Sequence, residues 1–475
     1  MLNPSAYALG ANRSCIRDLF EYGCQRAAVV GRENVYDYSL GNPSIPSPKE
    51  VDETVRQILD DTDSLLIHGY TSAVGDYATR KAISDDLNAR YGVSTVPEEF
   101  FIGCGAAPEL VSVFRALAVP GAEILAVAPY FPEYKPFAQE AGLETLTLRE
   151  RLCGLFHHPD PTHVLLTSGA TAALNLAIKG FLRPGDRVLV SSMEHNAVMR
   201  PLVQLGVRFE RVPCDREGRI NLEAAEKMLQ EKTRLFLLCH ASNVCGTVQD
   251  AAAVGKLCKL RGVPLLLDAA QTAGHYPVDF EALGLSAMAI PAHKGLLGPQ
   301  GIGALLVTRE FAAQLAPLIV GGTGSLSDSE ELPPFMPDRF ESGTPNLPGI
   351  YGWAAALEYI DQIGINALRT HETALTERFL DGLRGIKGAH LAGTWTLADR
   401  VGVIAVDFED LDNAEASDRL EREFGILTRC GMHCAPSAHK TLGTFPQGVV
   451  RFSVGYRTTE AEIDAALAAI YQLTE

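Results

Sequence analysis

The sequence has no cluster of lysines and arginines, no CxxC pair and no apolar run near the roughly 20 residues that span a bilayer. Each absence closes off a class. With 41 basic residues against 58 acidic ones, the net charge is −17, the wrong sign and distribution for a phosphate-binding surface. No nucleic-acid partner and no membrane are expected. The opening residues reach Asp18 and Glu21 before any apolar core of signal-peptide length, so secretion is not expected either. Ten cysteines are scattered without zinc-type spacing, which suits a reducing, cytoplasmic setting, with most thiols buried and inert and no metal held. What remains is 475 residues, 47% apolar and 21% charged, enough for two or three packed units of a soluble enzyme.

The chain does contain one small unit twice. Gly105-Ala106-Ala107 with Pro120-Gly121 recurs in the same register as Gly169-Ala170-Thr171 with Pro184-Gly185. Each copy reads as a small-residue turn, an apolar helix, a Pro-Gly turn and a short strand, Ile124 to Val127 or Arg187 to Val190. Phe131 in the first copy then falls opposite His195 in the second.

Before the first copy, prolines stiffen a loop from Gly41 to Pro48, and helices are expected from about Pro48 to Leu59 and Asp76 to Tyr91. From about residue 145 the pattern restarts with a helix, Leu148 to Phe156. Apolar strands then alternate with helices: His163 to Thr167, Arg187 to Val190, Arg208 to Val212, Arg234 to His240, Pro264 to Leu267, Met288 to Pro291 and Ile302 to Val307. Short continuous apolar strands between helices imply an α/β fold, a mainly parallel sheet covered by helices. After a connection at Pro333 to Pro348, long helices from about Ile350, strands at Val401 to Asp407 and Val449 to Ser453 and a helix from Thr459 read as a smaller α+β domain. The expected divisions are 1–145, 146–332, 333–349 and 350–475.

Two charged residues stand at the ends of apolar strands. Asp268 follows Val263 to Leu267, where open α/β sheets bind ligands, although an acid there also serves as a helix N-cap. Lys294 ends another strand in Pro291-Ala292-His293-Lys294-Gly295, where neighbouring glycine suggests an enclosed amine suited to a Schiff base, against the usual solvated surface lysine.

Together with the Gly-Ala-Thr turn and His195, these residues resemble fold-type I pyridoxal-phosphate enzymes, and residues from about 145 to 475 resemble the class V aminotransferase and cysteine desulfurase group. The resemblance rests on Thr167-Ser168-Gly169-Ala170-Thr171, Ser192-Met193-Glu194-His195-Asn196, His240-Ala241-Ser242-Asn243, Asp268-Ala269-Ala270-Gln271, His293-Lys294, Gly343-Thr344-Pro345-Asn346 and His433-Cys434-Ala435. It implies pyridoxal 5'-phosphate as cofactor, Lys294 as its Schiff-base lysine and Asp268 as partner of the pyridine nitrogen. His195 would stack on the ring, with Gln271 and Asn243 bonding it. Ala170, Thr171 and His293 would hold the phosphate, joined by Thr344 from a second copy, which makes a homodimer part of the site. Arg451 and Asn243 would meet the substrate, Arg451 clamping its carboxylate. Cys434 would take sulfur from L-cysteine, leaving alanine and an enzyme persulfide for a sulfur-acceptor protein. In Thr428-Arg429-Cys430-Gly431-Met432-His433-Cys434, a cation and a histidine near the thiol would favour the thiolate; Cys430 matches nothing the pattern requires.

Two departures stand out. Residues 1 to about 145 lack the usual class V opening and instead resemble the start of class I aminotransferases, with Gly41-Asn42-Pro43 as substrate-side loop, Tyr70 as phosphate contact, Gly105-Ala106-Ala107 as phosphate turn and Phe131 as ring stacker. No second Asp or Schiff-base Lys follows them. Pro291 also stands where the desulfurase pattern has a hydroxyl residue, removing that hydroxyl and a backbone donor. Open beside the desulfurase reading are a class V transaminase, a β-lyase acting on cysteine or selenocysteine, and a weakly active hybrid chain.

Overall fold

The computed structural model describes residues 15–35, 46–68, 72–119, 122–126, 134–140, 144–323, 325–326 and 329–475. The expected loop at Gly41-Asn42-Pro43, Tyr70, the Pro120-Gly121 turn and Phe131 lie outside them. By its contacts the chain divides into Met1–Thr145 and Leu146–Glu475.

The first unit carries helices α1 (Cys15–Val30), α2 (Lys49–Asp61), α3 (Ser64–His68), α4 (Tyr77–Tyr91), α5 (Ala106–Leu117) and α6 (Tyr134–Glu140), and strands β1 (Glu123–Leu125) and β2 (Glu144–Leu146) pair as a short ribbon. Asp76 caps α4 by accepting from the Thr79 N–H at 2.8 Å, and Gly92 ends it in the left-handed conformation. Gly105, at φ 110°, opens α5.

In the second unit, α7 (Leu148–Phe156) leads into β3 (Val164–Thr167), α8 (Ala170–Phe181), β4 (Arg187–Ser191), α9 (Asn196–Leu205), β5 (Arg208–Val212), α10 (Leu222–Met228), β6 (Leu235–Cys239), α11 (Ala251–Arg261), β7 (Leu265–Asp268), β8 (Ala287–Pro291), β9 (Gly303–Val307) and α12 (Arg309–Gln314). The strands form one seven-stranded sheet in the order β3-β9-β8-β7-β6-β4-β5. β9 alone runs against its neighbours β3 and β8; the pairs from β8 to β5 are parallel. Every residue of β4, β6, β7, β8 and β9 is buried, so both faces are covered and their sequences show no polar alternation. The mainly parallel sheet expected from the strand pattern is the sheet observed.

In its described part, the opening turn and the helix, the duplicated unit has the same local form in both places. Gly169, at φ 143°, opens α8 as Gly105 opens α5, and each helix has 12 residues. Their surroundings differ. No residue of α5 is buried, whereas α8 buries Leu174, Ile178 and Phe181 in the core of the seven-stranded sheet.

Glu341 anchors the segment that follows, accepting from Arg149 at 2.6 Å and from the Leu166 N–H at 2.7 Å. Helices α13 (Leu347–Ile363) and α14 (Ile365–Leu383) then lead to β10 (Ala389–Ala392), β11 (Val403–Phe408), α15 (Asn413–Phe424), β12 (Arg429–Gly431), α16 (Pro436–Leu442), β13 (Val449–Ser453) and α17 (Glu460–Thr474). An antiparallel sheet in the order β10-β11-β13-β12 packs with α14, α15 and α17 around Phe379, Ile404, Leu420 and Ile470. β10, α15 and β12 were absent from the sequence-based expectation. Among the described residues, no helix is long and apolar enough to cross a membrane.

Candidate active site

Parallel strands deliver their ends to one edge, and four of them carry the residues singled out above. Asp268 is the last residue of β7, only 6% exposed, and accepts from the Ala270 N–H at 3.0 Å. His195 follows β4 and caps α9, its Nδ1 accepting from the Ala197 N–H at 3.0 Å, so the neutral ring carries its proton on Nε2. Burial depresses the His195 pKa; Asp268 pulls it up, and Lys294 with Arg200 and Arg429 pushes it down. That opposition places His195 in the electrostatic reach of both strand-end charges.

Lys294 and His293 follow β8 and are exposed, with the His293 pKa lowered by burial and by Lys294. Lys294 is therefore not enclosed, as its flanking glycine suggested. Gly295 has another use: a Cβ there would stand 2.5 Å from Ala273 O and 2.6 Å from His275 Cδ2, so the missing side chain lets the turn after Asp268 lie directly on the lysine loop. His275 in turn donates from Nε2 to Gln271 O at 2.7 Å.

A second close approach shapes the turn before α8. A Cβ on Gly303 would stand 2.5 Å from Ile290 O and 2.7 Å from Gly169 Cα, so β9 must be bare at this point for the Gly169-Ala170-Thr171 turn to sit against the sheet. The helix start leaves N–H groups of Ala170 and Thr171 outside the helical ladder, and the Thr171 side chain is exposed.

Asn243, after β6, is 7% exposed. Its Nδ2 donates to His433 O at 2.7 Å, its backbone O accepts from Arg451 Nη1 at 3.0 Å, and its Oδ1 is buried without a partner among the described residues. Arg451 lies on β13 directly opposite Arg429 on β12. Burial and that neighbouring guanidinium lower the Arg451 pKa, and its buried Nε also lacks a partner. A desolvated cation with unspent donors is a strong attractor for a carboxylate.

His433 and Cys434 are successive non-glycine residues in the left-handed region, at φ 45° and 56°. Each costs on the order of 1 to 3 kcal/mol elsewhere, and such turns concentrate at functional sites. The turn leaves Cys434 exposed, its backbone O accepting from the Asn196 N–H at 2.8 Å. An open cleft of about 450 Å³ is lined by Thr171, His195, Asn196, Arg200 and Cys434, among others. Of the cation and the histidine expected near the thiol, the histidine carries no charge. Burial and Arg451 push its pKa down to about 4, and its Nε2 donates to Val449 O at 3.2 Å, leaving a neutral ring.

The structure thus gathers Thr171, His195, Asn243, Asp268, Lys294, Cys434 and Arg451. Thr344 is exposed, and no hydrogen bond joins it to this group among the described residues. Of the described cysteines, Cys153, Cys239, Cys245 and Cys258 are buried, while Cys24 and Cys104 share the exposure of Cys434.

Glu194 was missed by sequence reasoning. Its side chain is fully buried between strand ends, Oε1 accepting from Ser191 Oγ at 2.6 Å and the Cys239 N–H at 2.8 Å, with Oε2 unpartnered. Burial raises its pKa to about 8, and Asp268 adds to the effect. The available signal was an acid three residues past an apolar strand and just before His195.

Comparison with known proteins identifies the family of the chain. The family description Aminotransferase class-V matches residues 133–466, and Aminotransferase class I and II matches residues 33–149, so the two overlap across the expected junction. A probable cysteine desulfurase of Methanothermobacter thermautotrophicus is 33% identical over 357 residues, 72% of this chain and 88% of its own length. A cysteine desulfurase of Klebsiella pneumoniae is 31% identical, covering 70% and 83%. The solved apo cysteine desulfurase of Thermococcus onnurineus superposes with a TM-score of 0.65 at 27% identity, over 78% of this chain and 92% of that one. A cysteine desulfurase of Escherichia coli, at 24% identity and a TM-score of 0.62, shares the fold. With a family match spanning most of its length and relatives of this identity, the chain belongs to the aminotransferase class-V family.

Proposed function

We propose that the chain is a pyridoxal 5'-phosphate-dependent cysteine desulfurase, taking sulfur from L-cysteine onto Cys434 and releasing alanine. The observation that carries this reading is the meeting of an exposed thiol with the strand-end cluster. Cys434 O is held by the first amide of the helix that His195 caps, and Cys434, His195 and Thr171 line one cleft.

The residues fit the cofactor by their chemistry. A buried carboxylate at Asp268 suits a ring nitrogen, the glycine-cleared turn at Gly169 suits a phosphate, and the orphaned Asn243 Oδ1 awaits a donor. Asp268 would hold the proton of the ring nitrogen, His195 would cover a ring face, and Gln271 and Asn243 would bond its polar edge. Ala170, Thr171 and His293 would bind the phosphate with Thr344 of the partner subunit, which makes the active form a homodimer. Bound there, the cofactor supplies an electron sink for the carbon bearing the substrate amino group.

The chain's own groups do the rest. Lys294 Nζ anchors the cofactor and carries the substrate α-proton. Arg451, its Nη1 steadied by Asn243 O, fixes the substrate carboxylate. The left-handed turn at His433 and Cys434 presents Sγ for attack on the substrate sulfur, and the persulfide so formed passes to an acceptor, a sulfur-acceptor protein among the candidates. In this reading residues 146–332 are the cofactor-binding domain, 333–349 the connection and 350–475 the smaller domain. The free thiols suit a cytoplasmic setting.

Replacing Cys434 with Ala should abolish alanine release from L-cysteine while the bound cofactor keeps its visible absorbance. Unchanged turnover would sink the assignment and select amino transfer or β-elimination instead.

A further inference from the structure

A second cleft adjoins that of Cys434. It holds about 660 Å³ between α9, β5 and α16, and it shares Asn196, Arg200 and Gln204 with the cleft that Cys434 lines. Its size falls in the range of small-molecule sites rather than of flat protein contacts. The floor is recessed: Ser192 and Met199 are 8% exposed and Glu194 is fully buried. The walls come from both sheet systems of the second unit, tied where Thr441 Oγ1 donates to Ser192 Oγ at 2.9 Å.

Three cations open onto this cleft, Arg200, Arg211 and Lys440, all exposed. Among the described residues none of them is paired with a carboxylate. Arg211 lies 5.1 Å from the centre of the Phe209 ring and Lys440 5.0 Å from that of Phe445, so aromatic faces position both charges without neutralising them. The acid among the lining residues, Glu194, stays protonated near neutral pH, with its pKa raised to about 8 by burial. A chain of net charge −17 has collected unneutralised positive charge beside one thiol. Such a cleft concentrates anions at its mouth.

We propose that this cleft binds a small carboxylate-bearing thiol that receives the sulfur from Cys434. The proposal rests on the desulfurase reading, in which Cys434 carries a persulfide between turnovers. The acceptor thiolate attacks the terminal sulfur of that persulfide. A new sulfur-sulfur bond forms as the bond to Cys434 Sγ breaks, the electron pair leaves on Sγ as the thiolate, and the persulfide proton travels with the transferred sulfur. Atoms and electrons balance without an oxidant, and Cys434 is returned ready for the next substrate.

The test uses holoenzyme charged by a stoichiometric pulse of L-cysteine, then mixed with mercaptosuccinate or with neutral 2-mercaptoethanol while enzyme-bound sulfane sulfur is followed. Comparing the ratio of the two rates between proteins cancels the intrinsic reactivity of each thiol. In R211Q/K440Q the preference for mercaptosuccinate should fall about tenfold, and added salt should erode it in the native enzyme but not in the variant. Alanine formed in the first turnover should be unchanged in the variant. An identical ratio in both proteins overturns the proposal. So does a preference shown by an acidic protein thiol alone, which would select docking of a macromolecule.

A second measurement needs no turnover. Succinate should slow alkylation of Cys434 by iodoacetamide in the native protein and not in R211Q/K440Q; equal rates with and without succinate count against the site. If succinate protects but L-cysteine yields no alanine, the desulfurase reading fails, and the transfer step with it, while the anion site stands.

Discussion

His275 Nδ1 lies 2.8 Å from Glu372 Oε2, while Nε2 of the same ring lies 2.7 Å from Gln271 O. Both partners are acceptors, so both ring nitrogens donate and the ring is an imidazolium. The pair joins the turn after Asp268 to α14, and its histidine rests on Gly295 beside Lys294. Small-domain packing is thereby coupled to the lysine loop by one buried ion pair.

Removing the carboxylate leaves that charge without its counter-ion. E372Q should destabilise the chain by roughly 3 kcal/mol at pH 6, read from urea unfolding. Burial opposes the charge on His275, but the bond and charge of Glu372, with the Gln271 carbonyl, raise its pKa above 6.5 overall. A raised histidine pKa contributes stability that is complete below the unfolded value and is lost as pH rises through the folded one. The difference between native and E372Q should therefore shrink above neutral pH; a constant difference would show that the ring is neutral throughout.

The contact of Gly303 with Gly169 sets up a second experiment. In G303A the new methyl group meets backbone atoms on two sides, Ile290 O and Gly169 Cα, neither of which can rotate away. Stability should fall by roughly 2 kcal/mol. Displacement of the turn should weaken pyridoxal 5'-phosphate binding at least tenfold in equilibrium dialysis, beyond what L305A, in the same strand, produces at similar stability. Equal affinity in the two variants would show that the turn does not hold the phosphate.

The strand-end residues were legible because apolar strands are easy to find and the position just past each is fixed by the chain. Asp268 and Lys294 stand out by that position, and their reading rests on its combination with the Gly-Ala-Thr turn and His195. The missed elements have weaker signatures. β10 and β12 have 4 and 3 residues, too short for alternation to register, and α15 places only Asn413, Ala416 and Leu420 in the core along a highly charged surface. Glu194 offered only its place between a strand and His195, and His275 offered nothing, because both take their roles from burial between strands and helices distant in sequence. The enclosed lysine failed for a related reason. Flanking residues in sequence say little about which side chain the fold turns inward.

Two buried rings set the behaviour in acid. His240 and His433 are each 3% exposed, and burial lowers both to about 4. His240 is held by Thr272 Oγ1 at 2.9 Å, and Arg451 further disfavours charge on His433. Between pH 6.5 and about 4 the unfolded chain binds more protons at these rings than the folded one, so stability falls as pH falls. The loss is on the order of 3 kcal/mol per ring across that interval. H433Q, which keeps an N–H donor for Val449 O, should flatten the acid limb of the urea midpoint against pH. An unaltered limb would locate the acid sensitivity elsewhere.

Glu194 predicts the opposite slope. Its folded pKa of about 8 lies above the ordinary carboxyl value of 4.5, so from pH 4.5 upward the unfolded chain sheds a proton that the folded chain keeps. Stability is then lost as pH rises, until the folded carboxyl ionises near pH 8. Glutamine keeps the oxygen that accepts from Ser191 Oγ and the Cys239 N–H and, like the protonated carboxyl, carries no charge at any pH tested. E194Q should therefore be more stable than the native chain at pH 8, by roughly 2 to 4 kcal/mol, and nearly equal to it at pH 5. Because His195 begins at the next residue and Cys239 pairs in register with Asp268, the substitution also reports on the site. With the carboxyl neutral in the working enzyme, E194Q should keep most of its first-turnover alanine at pH 7. A variant less stable than native at pH 8 would mean that the carboxylate is ionised and paired there, and that Glu194 anchors the strand ends as an anion.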